Sequence, residues 1–139
     1  SHFSHDAKSH AGAMGLMQLL PSTARATARK AGVPYRRSWD LLNPNTNISL
    51  GSFYLNSLLK RFDNNRFLAA AAYNAGPTRV SRWLKDTDKK LPFDVWIETI
   101  PYSETRKYVQ NVLSYSVIYA YRSGDKAPLL RKNEAEAKL

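Results

Sequence analysis

At 139 residues, 43% of them hydrophobic, the chain is long enough for one domain with a real core and too apolar for a disordered tail. It contains no cysteine, which excludes a disulfide scaffold, a thiol nucleophile and a Cys-ligated metal, and no apolar run approaches the roughly 18 residues of a membrane span. A net charge of +10 asks for an anionic partner. The cations are spread along the chain and fall into no nucleic-acid-binding module, so charge alone does not choose between nucleic acid and anionic cell wall.

The first fifteen residues carry His2, His5 and His10 and end in the flexible run Gly12-Ala13-Met14-Gly15. The three histidines have no metal-ligand spacing, and no metal or cofactor is expected. Leu16 to Leu20 form a short apolar turn stopped by Pro21. From there an Ala/Arg-rich helix runs to Lys30, with proline in its first turn and Gly32 past its end. Residues 33–46 read as loop around the Asn43-Pro44-Asn45 turn. Ile48, Leu50, Tyr54, Leu55, Leu58, Leu59 and Phe62 recur at helical spacing, which predicts an amphipathic helix over 47–62. Asp63-Asn64-Asn65 breaks it.

Next comes Phe67-Leu68-Ala69-Ala70-Ala71-Ala72-Tyr73. Four consecutive alanines let another helix approach closely, so this segment is expected to be the central buried helix, flanked by 47–62 and 103–121. Short helices follow over 78–84 and 93–99, and a long one runs from Ser103 to about Tyr121. Its apolar stripe is read as Tyr108, Val112, Tyr115 and Tyr119 with Val109, Leu113 and Ile118. Residues 124–139 turn polar and charged and read as a surface tail. The division expected is therefore 1–123 and 124–139. Helices dominate and no strand pattern is convincing.

Four blocks carry the chemistry. The first is Ser1-x-Phe3 with Lys8-Ser9-x-x-Gly12-Ala13-x-Gly15-Leu16-Met17-Gln18-Leu19-x-Pro21-x-Thr23-Ala24. The second is Leu42-x-Pro44-x-Thr46-Asn47-Ile48-x-Leu50-Gly51. The third is Ala71-Ala72-Tyr73-Asn74-Ala75-Gly76-Pro77 with Val80 and Trp83. The last is Glu98-x-Ile100-Pro101-Tyr102-x-Glu104-Thr105-Arg106-x-Tyr108-Val109. Ser9 and the glycine run leave room for a sugar to approach the backbone. Gln18 offers an amide donor and acceptor suited to an N-acetyl group or a hydroxyl, or else braces its own turn. Met17 is more often core than sugar platform. Tyr73 ends the alanine helix with its ring held and its hydroxyl free to reach a cleft, or packs in the core. Asn74 caps the helix or contacts ligand. Glu98 sits among Val95, Trp96, Ile97 and Ile100, a setting that tends to raise a carboxyl pKa. Of the tryptophans, Trp39, Trp83 and Trp96 are able to stack on sugars, with Trp83 at core spacing.

In order and separation these blocks resemble the catalytic domain of the soluble lytic transglycosylases, which share the goose-type lysozyme-like fold, over Ser1 to about Tyr121. The resemblance implies a mainly α, lysozyme-like domain that lacks its N-terminal acid-bearing helix. It also implies cleavage of the β-1,4 bond between N-acetylmuramic acid and N-acetylglucosamine in peptidoglycan, with formation of a 1,6-anhydro end. In that family one glutamate, immediately before the Ser-x-Phe/Trp motif, serves first as acid and then as base. Here the serine is Ser1, so no catalytic residue is expected within the chain, and the chain alone is expected to be inactive. Ser9, Met17, Gln18, Tyr73, Asn74, Glu98 and Tyr102 are the expected substrate-binding residues. The expected partners are peptidoglycan glycan strands and an upstream domain of the same protein. The expected state is a monomer without nucleic acid, in the periplasm or at the outer membrane. The alternative is a non-catalytic murein-binding module of the same fold.

Overall fold

The computed structural model describes residues 12–87, 91–123 and Glu134. Six α-helices and one short 3-10 helix make up the regular structure among these residues. Ser9 and the three histidines lie outside the described residues, as does all of the charged tail except Glu134. Two compact units, Ser1–Ser57 and Leu58–Leu139, divide the chain.

In the first unit, Met14 and Leu19 pair as an isolated antiparallel bridge, so the segment between them is a tight turn. Helix α1, Pro21–Ala31, starts on a proline and stops at Gly32 in the left-handed conformation, as the sequence predicts. Ala24, Thr27 and Ala28 form its buried stripe. The expected loop over 33–46 contains a 3-10 helix, Ser38–Leu42. Helix α2, Pro44–Arg61, begins three residues earlier than its apolar periodicity suggests. The reason is a cap: the Asn43 side-chain oxygen accepts from the backbone N–H of Asn45 and Thr46, at 3.0 and 3.3 Å. Pro44 then occupies a first-turn position where its missing N–H costs nothing. An Asn-Pro-Asn run that reads as a turn is here a helix start.

In the second unit, Asp63 and Asn64 take left-handed backbone conformations that end α2. Helix α3, Arg66–Ala75, follows at once, capped by Asn65, whose side chain accepts from Phe67 and Leu68 N–H at 3.1 Å each. Ala69, Ala71 and Ala72 are fully buried and Ala70 nearly so. This is the buried alanine helix expected from the sequence. Within this unit it packs on α4, Pro77–Lys85, and on α6, Ser103–Ser123. Gly76 links α3 to α4 at φ 95°, a left-handed value that a side chain would strain. Its N–H closes α3 on Ala72. Helix α5, Phe93–Glu98, packs against α6 and buries Phe93, Trp96 and Ile97. The Phe93 ring lies 6.1 Å from Phe67 and 5.7 Å from Trp96, forming one aromatic cluster.

Two details differ from the sequence reading. The buried face of α6 is marked by Thr105 and Val109, while Tyr108 is exposed. The face is rotated because one of its inward positions is a threonine, which a hydrophobic pattern does not count. In the charged tail, Glu134 is helical and fully buried rather than on the surface. Its carboxylate accepts from the Arg66 backbone N–H and from two guanidinium nitrogens, each at 2.9 Å. That pairing holds the Arg66 guanidinium above its ordinary value.

Candidate functional site

The turn of the first unit is built around one buried side chain. Asn47, fully buried on α2, donates from its amide nitrogen to the carbonyl oxygens of Met14 and Leu41 at 3.0 and 2.9 Å. Its oxygen accepts the Met17 N–H at 2.7 Å. One amide thus ties both sides of the turn to the helix. Gly15 lies so close that a Cβ there would run into the Asn47 side chain and the Leu41 carbonyl, and its φ of 78° already favours glycine.

The turn presents Met17 and Gln18, both half-buried. The Gln18 side-chain amide donates to the Gly15 carbonyl at 2.8 Å, and its backbone is left-handed at φ 50°. The bracing role weighed for Gln18 is therefore real. It fixes the direction of the remaining amide atom. Met17 lies flat on Gly51 of α2: a Cβ at Gly51 would come within 2.8 Å of the Met17 Cβ and collide with its sulfur. Met17 is thus held against a helix that has a glycine where it passes.

In the second unit, two of the expected residues, Asn74 and Tyr102, stand at the start of α6. Asn74, one residue after the half-buried Tyr73, accepts from the buried Thr105 hydroxyl at 2.6 Å. It does not cap α3, since Gly76 supplies the cap. Its carbonyl instead fastens the end of α3 to the first turn of α6. Tyr102 immediately precedes α6, and its carbonyl accepts the Arg106 N–H. Its exposed ring meets Trp83 edge-on at 5.3 Å, and the Arg79 guanidinium lies 5.1 Å from its centroid. The half-buried Trp83 also lines an open cavity of about 350 Å³ with Thr87, Trp96, Ile100 and Pro101.

Glu98 overturns one expectation. Its apolar sequence neighbours Trp96, Ile97 and Ile100 are buried, but Glu98 itself is exposed at the end of α5. The helix turns these neighbours inward and Glu98 outward. Its oxygen accepts from the Gln110 amide of α6 at 3.0 Å. Glu98 is thereby a solvent-facing acceptor held by α6. Among the described residues, no group of three or more histidines and acids is placed to hold a metal ion.

Sequence reasoning did not single out Asn47, Thr105, Gln110 or Arg79. Asn47 and Thr105 do stand inside the motif blocks, beside the positions that were chosen. Their signal is a polar residue at an inward helix position.

The transglycosylase SLT domain model matches residues 1–95, more than half of the chain, and a soluble lytic transglycosylase helical domain model matches residues 99–127. The chain belongs to the transglycosylase SLT family. The SLT chain is 45% identical over 128 residues to the soluble lytic murein transglycosylase of Escherichia coli K12, covering 91% of this chain and 20% of that protein. In structure it matches the inactive Glu-to-Gln mutant of the lytic transglycosylase Slt from Pseudomonas aeruginosa, with a TM-score of 0.84 and 54% identity, covering 97% of this chain and 22% of that one. It also matches the 70-kDa soluble lytic transglycosylase of Escherichia coli with a TM-score of 0.89 and 42% identity, covering 100% of this chain and 23% of that one. The SLT chain therefore spans about a fifth of the length of these relatives. Its mainly helical fold is that of the lytic transglycosylases. Among the described residues, no helix is long and apolar enough to cross a membrane.

Proposed function

We propose that this chain is part of the catalytic domain of a peptidoglycan lytic transglycosylase. The observation that carries the reading is the SLT match over residues 1–95, which takes in the turn at Met17 and Gln18 and the Tyr73-Asn74-Ala75-Gly76-Pro77 corner. The reaction cleaves the β-1,4 bond between N-acetylmuramic acid and N-acetylglucosamine. One acid protonates the leaving glycosidic oxygen, and the resulting carboxylate then takes the proton of the sugar's own 6-hydroxyl as that oxygen closes on the anomeric carbon. The product is a 1,6-anhydro end, and no second carboxylate is needed to activate water.

The acid is assigned to a glutamate of the parent protein. That a Glu-to-Gln mutant of the Pseudomonas relative is inactive supports an essential carboxyl. Ser9, Met17, Gln18, Tyr73, Asn74, Glu98 and Tyr102 are assigned to glycan binding. The turn around Met17 and Gln18 and the start of α6 both hold polar atoms in fixed directions, as recognition of hydroxyl and N-acetyl groups requires. The proposed setting is the periplasm or the inner face of the outer membrane. The partners are glycan strands and the rest of the parent protein, acting as a monomer without nucleic acid.

The test is release of 1,6-anhydro muropeptides from purified sacculi by the parent protein and by its Tyr73→Phe variant. The parent protein should release them, and the variant should be slowed about tenfold, the worth of one hydrogen bond of roughly 1.4 kcal/mol. Binding of sacculi without release would select a murein-binding module instead.

A further inference from the structure

Five cations and one acid fall between Arg25 and Asp40. Arg25 and Arg29, four apart on α1, share an exposed helix face. Across from them runs the segment 34–40. The Tyr35 hydroxyl donates to the Pro21 carbonyl at 3.4 Å, and the Arg25 guanidinium lies 5.7 Å from the centre of the Tyr35 ring. The Arg37 guanidinium lies 4.9 Å from the centre of the Trp39 ring. Trp39 is 59% exposed, the most exposed of the large hydrophobic side chains described. An open depression of about 300 Å³ lies against the Tyr35 ring, lined by Pro34, Tyr35, Arg36, Asp40, Asn43 and Thr46.

The one acid of this segment does not neutralise the patch. Asp40 directs a carboxylate oxygen at the backbone N–H groups of Arg36 and Arg37, at 2.8 and 3.1 Å, which holds it below its ordinary value. The bonds use backbone donors, so they set the path of the chain, and Arg36 and Arg37 are both exposed. A guanidinium stacked on a ring keeps its in-plane N–H donors available around the edge, and the stack removes part of the rotamer freedom that binding would otherwise have to freeze. The Trp39 ring adds an amphipathic face of the kind that packs on sugar C–H groups.

We propose that Arg25, Arg37 and Trp39 form an accessory site for a carboxylate-bearing glycan. The guanidinium forks take the carboxylates and the Trp39 face takes the sugar. The occupant rests on the proposed function, since murein carries lactyl and peptide carboxylates along its strands. The site does not contain Met17, Gln18, Tyr73, Asn74, Glu98 or Tyr102, so it would hold the wall without taking part in cleavage. Nucleic acid fits less well. Tyr35 is half-buried and tied by its hydroxyl, so only Trp39, 59% exposed with Arg37 over one face, offers a stacking surface in this patch, where single-stranded binding uses successive aromatics.

The experiment measures binding of the parent protein to purified sacculi, to sacculi with their carboxylates amidated, and to a DNA duplex. The variants are the double variant Arg25→Gln with Arg37→Gln, Trp39→Ala, and Arg37→Lys, all exposed positions whose folding is checked by thermal melting. The double variant should bind native sacculi about tenfold more weakly, as loss of charge-assisted contacts implies. Wild-type protein on amidated sacculi should be weakened to a similar degree. Arg37→Lys should fall between, because it keeps the charge and loses the planar fork. Turnover of short soluble glycan fragments should be unchanged in every variant. Equal binding by the double variant and the wild type overturns the site, as does a loss confined to DNA or a loss that ignores amidation. If the wild-type protein cleaves nothing, the proposed function fails, while the binding comparison still decides the accessory site.

Discussion

Replacing Asn47 by alanine removes a buried side chain that joins both arms of the Met14–Leu19 turn to α2. One substitution removes the Asn47 partner of the Met17 N–H and of the Met14 and Leu41 carbonyls. Each hydrogen bond lost contributes roughly 0.5–1.5 kcal/mol, and each buried group left unsatisfied costs about 1–3 kcal/mol. Some relaxation toward water offsets the sum, so a net loss of about 3–5 kcal/mol is expected, a large part of a domain's total of roughly 5–15 kcal/mol. With a urea slope of about 1.5–2 kcal/mol/M, the midpoint should fall by about 2–3 M. Urea unfolding followed by circular dichroism measures this. Asn47→Asp supplies a sharper comparison. It keeps the acceptor for Met17 N–H but turns a carboxylate toward two carbonyl oxygens, and at neutral pH it should be no better than alanine. A midpoint within about 0.5 M of wild type for either variant would refute the reasoning, because the turn would then hold without its amide.

Ala71→Leu should overpack the buried face of α3 and destabilise by about 1–3 kcal/mol, and a neutral thermal melt would count against that helix being close-packed. Asn65→Ala should cost about 1 kcal/mol by uncapping α3, visible as a lower melting temperature. Asp40 has a carboxyl held below its ordinary 3.8 by backbone N–H groups. Its contribution is therefore present above that value and lost as pH falls through the lowered one. Wild type and Asp40→Asn should differ in stability at neutral pH and converge as pH falls below 3.8 and through the lowered value; a gap that persists unchanged in acid contradicts the assignment.

The helices of this chain are legible in its sequence because their apolar residues recur at helical spacing and their ends carry proline, asparagine and glycine. Helix α1 and the alanine helix α3 follow the pattern closely. Helix α2 starts early because Asn43 and Pro44 serve equally as a turn or as a cap with its first residue, and sequence alone does not separate the two. The site residues were legible through motifs, but their physical roles were less so. Glu98 has apolar neighbours in sequence and faces solvent in space, since a helix separates adjacent residues by about 100°. Asn74 looks like a cap and acts as a tie to Thr105. The polar residues that position the others, Asn47 and Thr105, are quiet in sequence because burial of a satisfied amide or hydroxyl leaves no periodic trace.

The bond between Arg66 and Glu134 spans 68 positions of the chain. On a ribosome adding about 5–20 residues per second, Arg66 waits roughly 3–14 s before its partner is made. The partners of α3 arrive late as well, since α6 is also downstream of it. Until then the alanine face of α3 has nothing of α6 to pack on, and the Arg66 guanidinium has no Glu134 to meet. The corner that carries Tyr73 and Asn74 is therefore among the last parts of the second unit to reach its final form during synthesis, although it is encoded near its beginning.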